Sequence, residues 1–585
     1  MCGILLIVKK NEKILDKQKI DNSFKTLSVR GSEFQKLIFF DKYFNESSYS
    51  KDFKVALGHS RFVTYDFNAN ANMPFTDEKL GKYIIFNGDI YNHEILKKEL
   101  LDKYTFKTKS DTEVLLKTFD KFKLNTHNKL NGDYAYIILD RLNKEIFISI
   151  DRFTSKPLFR YENNDFLVIS SEINTIIKLQ VENFQINQSF IQNYIDSNFW
   201  LFNESGSIDA YRNIKQLIGN TYYRVDLNNF KTTEHKQSYE INKYNSLKDI
   251  QEIVIDSVNL RKKSDRKLGV LISGGLDSST IANLLKKEHD IDYFYTDTND
   301  NDSYYAKYVI DELKLNAKKI DYSNDNLLEN INELNRKYLL PTPIYGESIG
   351  MFSLYKNIRN EYGKYILLTG HGGDEIFGGN FLFINILEEL LKKKGFFYLL
   401  NFLQKAQIPQ NHIKEVILFF INKIYFIKGN YRFYKNKKIR DLKERQYYEL
   451  NFANVRQSSI INDINSIHND ISTRSPLMDY RLKDVIDLDI DFKIDTSQDR
   501  IILRDLIKTD LPKLNNRVDK QGMRINFLKN INKIMPNIKN YLLNSNSNYI
   551  SNNFIKSELD RKNLDMKKIL RIYTVLNLEN NFRSN

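Results

Sequence analysis

The chain has a single cysteine in 585 residues, Cys2, in the opening stretch MCGILLIVKK. A small second residue allows Met1 to be trimmed, which would leave the thiol beside the chain's own α-amine. With an ordinary pKa of roughly 7.7 to 8, that amine is suited to act as base for the thiol, the arrangement of an N-terminal nucleophile. The competing reading is a small buried hydrophobe on a first strand. A more specific signal lies at LGVLISGGLDSSTIANLL, where an apolar run from Leu268 to Ile272 enters Ser273, Gly274, Gly275, Leu276, Asp277 and Ser278 and a helical pattern begins at once. Glycines permit a sharp turn and a close approach of backbone to ligand, and the N–H groups of a first helical turn face an anion. The hydroxyls of Ser273, Ser278 and Ser279 add donors, and Asp277 suits a divalent cation held against phosphates. The pattern is neither GxxxxGKS nor GxGxxG, which argues against kinase-type and dinucleotide loops.

The elements that must position these groups differ along the chain. Residues 1–195 carry short apolar runs (GILLIV, KLIFF, VALGHSRF, KYIIFNG, YAYIILD, EIFISID, FLVISSE) separated by Asn, Asp, Gly and Lys turns, with one helical pattern from EILKKELLDKY to TEVLLKTFDKF. This predicts an α+β domain with strands enough for two packed sheets. Residues 196–245 lack sustained periodicity and read as a connection with a few strands, such as TYYRVDL. From 246 to 585 the pattern becomes strand, glycine turn, helix, strand (KLGVLIS, GGLDS, STIANLLKKEH, IDYFYTD), which predicts a parallel, doubly wound sheet. Beyond 380 the chain reads as mostly helical, with a helical insertion over about 385–455.

Composition bounds the class. With 41% hydrophobic, 13% aromatic and 28% charged residues the chain reads as a soluble globular protein of two or more domains. One cysteine excludes an intramolecular disulfide framework and fits a reducing, cytoplasmic compartment. ILLIV is too short for a signal-peptide core and lacks a basic flank before it, and the nearest approach to a membrane span, EVILFFINKIYFI at 415–427, is short and broken by Lys423. The net charge of +14 follows from lysine over-use along the whole chain, so no nucleic-acid partner is expected. The stretch 385–440 mixes basic and aromatic residues on helical periods and keeps a partner-binding face open.

SGGLDS at 273–278 resembles the pyrophosphate loop of the ATP pyrophosphatases, which adenylate a substrate and release pyrophosphate. One branch of that group modifies RNA and usually brings an RNA-binding domain and further cysteines; this chain shows neither. The other follows an N-terminal glutaminase beginning Met-Cys-Gly, as in the glutamine-hydrolysing asparagine synthetases. Glutamine hydrolysis at a thiol needs a carboxylate clamp, an ammonium site and oxyanion donors. In GHSRFVTYD, Arg61 offers a planar fork for the glutamine α-carboxylate; in FNGDIYN, the Asn87 side chain and Gly88 N–H suit an oxyanion hole; in SDTEVLL, Asp111 opens a helix and can pair with the α-ammonium. Taken singly, these residues also read as a sheet-rim arginine, an Asn-Gly turn and a helix-capping aspartate.

Further stretches extend the resemblance: Arg30-Gly31, DRFTSKPLF at 151–159, Ser171-Glu172, LTGHGGDEIFGG at 368–379, RSPLMD at 474–479, RIILR at 500–504 and RVDKQGM at 517–523. Together they cover roughly 1–380 and 455–530. The resemblance implies an N-terminal-nucleophile sandwich joined to an adenine-nucleotide α-hydrolase-like domain, with glutamine, ATP and Mg2+ as ligands and an internal ammonia tunnel. It implies Asp89 beside the glutamine; Leu271, Thr296, Thr369 and Gly370 beside the nucleotide; Asp277 and Asp374 at the metal; and Lys520 as the cation that stabilises charge during ammonia attack. The chain departs from the family at Asp89 (usually Glu), Asn72-Met73-Pro74 (usually Gly-Gln-Pro), Thr154 (usually Gly) and His371, where a glutamate linked with forming the acyl-adenylate is expected. Aspartate is the default acceptor; a uronic acid sugar or a peptide side chain is the alternative. The assembly is left open, a homodimer included.

Overall fold

The computed structural model describes residues 1–197, 200, 207–238, 242–320, 327–342, 346–379, 383–405, 416, 441–452, 454–495, 498–517 and 527–583. Strand Gly3–Lys9 explains why the opening run is apolar at every position. Ile4, Leu6 and Val8 point into one core and Leu5 and Ile7 into another, so both faces are covered. It pairs antiparallel with Val55–Arg61 on one side and Phe166–Ser170 on the other, inside a seven-stranded sheet. Gly3 lies opposite Ser60, which brings Cys2 and Arg61 to the same sheet end. A second, six-stranded antiparallel sheet is centred on Lys82–Ile90 and Gly132–Asp140 and packs face to face on the first through Ile85, Ile137 and Ile148. Its outer face carries helices His93–Leu100 and Asp111–Phe122.

The stretch read as a connection contributes to this sandwich. Ile214–Gln216 joins the first sheet, while Thr221–Asp226 and Thr232–Lys236 extend the second. Asn87-Gly88 is not a turn: the strand runs through it, with Asn87 opposite Ala135 and Gly88 opposite Tyr134. Gly88 is required there, because a Cβ would sit 2.0 Å from the Asp133 carbonyl oxygen.

The second domain holds a five-stranded sheet in the order Ala317–Ile320, Ile291–Thr296, Leu268–Ile272, Tyr365–Leu368, Ile471–Arg474, and every pairing is parallel. The order reverses between Leu268–Ile272 and Tyr365–Leu368, the switch point outside whose carboxyl ends ligands bind in such sheets. The glycine loop at 273 and the stretch from Thr369 to His371 leave those two ends. Among the described residues no helix is long and apolar enough to cross a membrane; 415–427 lies outside them apart from Val416.

The domains are joined by buried charge and by shared apolar core. Arg474 of the last strand donates to both oxygens of Asp89, at 3.1 and 3.0 Å. Arg261 donates to Asp479 at 2.8 Å, and Asn131 of the sandwich reaches the same oxygen at 2.9 Å. One apolar cluster runs from Leu5, Ile7 and Val168 on the outer face of the first sheet through Trp200 and Tyr338 to Tyr573 near the chain end. Burial pushes Asp89 up, but Arg474 outweighs it and holds the carboxyl below its ordinary value. The pair therefore stabilises the fold above the unfolded aspartate pKa of roughly 3.9 and loses that contribution as pH falls through the lower folded value. Arg474→Met leaves Asp89 buried and unpaired and is expected to destabilise the protein by about 3–5 kcal/mol. A melting temperature unchanged from that of the parent would refute this.

Candidate active sites

Cys2 is 6% exposed at the sheet end. Its backbone N–H donates to Asn87 Oδ1 at 2.8 Å and its Sγ to the Phe62 carbonyl at 3.6 Å. Asn87 Nδ2 is buried with no hydrogen-bond partner among the described residues, so the amide presents an uncommitted donor close to the thiol. Burial pushes the thiol up, against the pull of the terminal amine, the Phe62 hydrogen bond and Arg61. Burial also lowers the amine of the first residue to about 5, so it is neutral at pH 7.

Arg61 is clasped by the loop that follows it, donating to the carbonyls of Tyr65 at 3.1 Å and Asp66 at 2.7 Å and to Asn72 Oδ1 at 2.6 Å. These acceptors are neutral, which leaves its positive charge for an anion. Asp111 begins helix Asp111–Phe122, capped by Ser110, and accepts the Ile90 N–H at 3.0 Å. Burial above all, with Asp89 adding to it, raises Asp111 to about 6. A ligand ammonium would pair with its ionised form, so the KM for glutamine is expected to rise roughly tenfold between pH 7 and pH 5 with kcat little changed. Asp111→Asn should raise KM at pH 8 and remove that dependence; a variant retaining it would move the titration elsewhere. Asp89, read as a glutamine contact, has both oxygens committed to Arg474, a link that sequence reasoning did not foresee.

At the switch point, Leu271, Ser273, Gly275, Asp277, Ser278 and Thr296 line a cavity of about 260 Å3. Thr369, Gly370 and His371 close it from the neighbouring strand. Ser273 and Ser278 hydroxyls lie 2.9 Å apart at the start of helix Leu276–Leu285. Gly274 (φ 75°) turns the loop, and a Cβ on Gly370 would meet Ser278 N at 2.7 Å, so glycine lets the two loops touch. Arg500 brings Asp277 and Asp374 together: its Nη1 lies 3.1 Å from Asp277 Oδ1 and also donates to Asp374. Among the described residues no group of three or more His, Cys, Asp or Glu is placed to hold a metal ion. Two adjacent carboxylates still suit Mg2+, which is commonly held by one or two carboxylates plus substrate phosphates.

Lys520 lies outside the described residues. Arg517, in the same sequence stretch, pairs with Asp302 and donates to the Gly274 carbonyl at 2.8 Å, which ties down the glycine loop. His371 Nε2 lies 3.0 Å from Ser459 Oγ. Ser459 belongs to helix Asn454–Ile467, a wall that no motif revealed, because its contribution is a face of Ser and Asn residues. Thr154 adopts the φ of 58° natural to the glycine it replaces, and its Oγ1 accepts the Gly219 N–H at 2.9 Å.

The two domains have the architecture of an N-terminal-nucleophile glutaminase followed by an adenine-nucleotide-type α/β synthetase. Residues 1–239 match the glutamine amidotransferase domain family, and residues 249–578 match the asparagine synthase family. A Methanocaldococcus jannaschii chain provisionally named a glutamine-hydrolysing asparagine synthetase is 26% identical over 66% of this chain and 76% of its own length. The glutamine-hydrolysing asparagine synthetase 2 of Bacillus subtilis is 28% identical over 57% of this chain and 47% of its own. The human enzyme of that name is 26% identical over 52% and 55%. The chain thus spans about half the length of the latter two. A solved glutamine phosphoribosylpyrophosphate amidotransferase from B. subtilis aligns at a TM-score of 0.31 and 14% identity, covering 63% of this chain and 82% of that one. The chain belongs to the asparagine synthase family. It is accordingly a glutamine-hydrolysing carbon–nitrogen ligase.

Proposed function

We propose that Cys2 hydrolyses glutamine and that the ammonia is used in the second domain to convert an acyl-adenylate, made from ATP and a carboxylate, into an amide. Supporting this reading is a single arrangement: helix Asn454–Ile467 lines the nucleotide cavity with Ser458, Ile461, Asn462 and Asn465 and, through Ile467, packs on Met1 and Phe62, the neighbours of the thiol. Arg61 would clamp the glutamine α-carboxylate, Asp111 its ammonium, and Asn87 Nδ2 with the Gly88 N–H the developing oxyanion. In the second domain the Ser273–Ser278 loop would take the pyrophosphate, with Leu271, Thr296, Thr369 and Gly370 around the nucleotide. Mg2+, held by Asp277 and Asp374, would neutralise phosphate charge. Lys520 is kept as the cation for the ammonia step.

Aspartate is the default acceptor, as the relatives' names indicate. A second reading, a carboxylate on an uncharged hydroxylated scaffold such as a uronic acid sugar, is favoured by the wall opposite the loop. There His371 stands with Asn462, Asn465 and Ser348, and Ser348 Oγ is buried without a partner among the described residues. Asn462 donates to Thr473 Oγ1 at 3.0 Å and Asn465 to the Ser348 carbonyl at 2.8 Å, so both amides are fixed by neutral partners. Incubating the protein with ATP, Mg2+, glutamine and a carboxylate panel separates the readings. Pyrophosphate release with aspartate establishes the first, and release with uronates but not aspartate establishes the second.

A further inference from the structure

Asp374 and Arg500 stand on two weak pieces of backbone. Asp374 belongs to the five-residue helix Gly373–Phe377, and a helix so short leaves its last carbonyls facing outward. Arg500 precedes helix Ile501–Ile507 at a φ of 52°, a left-handed conformation that residues with a Cβ rarely adopt. Each needs support from outside itself, and both receive it from one buried lysine.

Lys493 is 2% exposed, just after the short helical turn Ile490–Phe492. Its Nζ donates to Gln446 Oε1 at 2.9 Å and to the Ile486 carbonyl at 2.8 Å. Gln446, wholly buried on helix Leu442–Phe452, passes the contact on: its Nε2 donates to the Glu375 carbonyl at 2.7 Å and to the Ile376 carbonyl at 3.0 Å, the outward-facing end of the helix that carries Asp374. The Lys493 stem lies under the residue that follows that helix, since a Cβ on Gly378 would come within 3.7 Å of its Cβ and Cδ. On the other arm the Lys493 carbonyl accepts the Ile501 N–H at 3.2 Å, immediately after Arg500, and Ile494 and Asp499 pair antiparallel beside it. Burial lowers Lys493 to about 7, with Lys393 and Lys443 pushing the same way and Asp487 and Glu389 opposing them. These four charged groups face it from helices Phe383–Lys394 and Leu442–Phe452 and from the segment Tyr480–Asp487. A neutral amine keeps two donors, but hydrogen bonds from a charged donor are roughly twice as strong, so the brace is tightest below pH 7 and slackens as pH rises.

We propose that Lys493 is a positioning residue for the ligase reaction, bracing the backbones of Asp374 and Arg500 so that both meet Asp277 in the geometry that takes Mg2+ and the phosphates of ATP. The proposal rests on the ligase reading above. Lys493 does not line the nucleotide cavity and acts only through Gln446 and the backbone. Hydrogen bonds that orient the carboxylates around a metal typically carry about tenfold to a hundredfold in metal affinity or activity.

The test measures the affinity for Mg2+ and ATP together, by calorimetry well below the melting temperature, and pyrophosphate release with a carboxylate panel, with glutamine hydrolysis in the absence of ATP as the control for folding. Lys493→Met is expected to weaken binding of Mg2+ and ATP about tenfold or more and to slow pyrophosphate release, with the control unchanged. Gln446→Leu should do the same, and the double variant should be no worse than the larger single one, because the two side chains act through one hydrogen bond. Affinity in the parent chain should fall about threefold between pH 6 and pH 8, and Lys493→Arg, a permanent cation, should bind as the parent does at pH 6 and lose that dependence. Gln446→Leu reads the same contact from its other end if Lys493→Met fails to fold. Binding within about twofold of the parent in the single variants, multiplicative losses in the double variant, or the parent's pH dependence kept in Lys493→Arg overturns the proposal. A parent chain that binds Mg2+ and ATP yet releases no pyrophosphate with any carboxylate overturns the ligase reading instead.

Discussion

Cys2→Ala is expected to lower glutamine-dependent amide formation at least about a thousandfold while synthesis from ammonium chloride stays within roughly twofold of the parent. The asymmetry follows from where the sulfur sits. It contacts the Phe62 carbonyl, while the Cys2 backbone N–H donates to Asn87, both in the sandwich, and Cys2 does not line the nucleotide cavity. Alanine preserves the size and burial of the strand end, so the second domain keeps its loops. Glutamine consumption and pyrophosphate release, followed in parallel, give the answer. Equal loss from both nitrogen sources, with the protein still folded, would show that the two chemistries do not occupy separate sites.

Asp277→Asn is expected to reduce pyrophosphate release on the order of a hundredfold or more, with glutamine hydrolysis in the absence of ATP unaffected. Asparagine can still accept from Arg500, so the fold survives, but one of the two carboxylates that meet at Arg500, and that would hold Mg2+ against the phosphates of ATP, loses its charge. Burial works against the Arg500 charge, yet Asp499, Asp374 and Asp277 together hold its pKa above the ordinary value, so the guanidinium is a permanent cation there. ATP should be cleaved to AMP and pyrophosphate, since the Ser273–Ser278 turn has no lysine of the Walker type. ADP as the stoichiometric product, or an asparagine variant with full activity, would reject the assignment.

Local signals in this chain are strong where one face or one turn decides the outcome. The apolar runs of the first 170 residues become strands because alternation on both faces leaves little else for them to be. The loop at 273 was legible because only glycine tolerates its turn. Asn87-Gly88 misleads, since its turn chemistry is overridden by pairing with Gly132–Asp140 on the full length of the strand. The order of the parallel sheet and the Asp89–Arg474 and Arg30–Asp463 contacts join residues hundreds of positions apart, and no local pattern encodes them. Helix Asn454–Ile467 carries no motif because serine and asparagine there have ordinary local roles, and only the fold turns them toward a cavity.

The apolar cluster that passes from Leu5 and Val168 through Trp200 to Tyr573 bears on how the chain can be divided. The outer face of the first sheet is roofed partly by helices that belong to the synthetase half. Helix Gln188–Ser197 is itself gripped by the final helix, with Tyr194 Oη 3.0 Å from Thr574 Oγ1. A cut near 240 would strip that roof and bare a wide greasy surface on each fragment. Separately produced halves should precipitate, and recovering both together should require that they be synthesised in the same cell. The two chemistries are in this sense inherited as one object: a lineage that discarded the ligase would have to resurface the glutaminase before it could keep it.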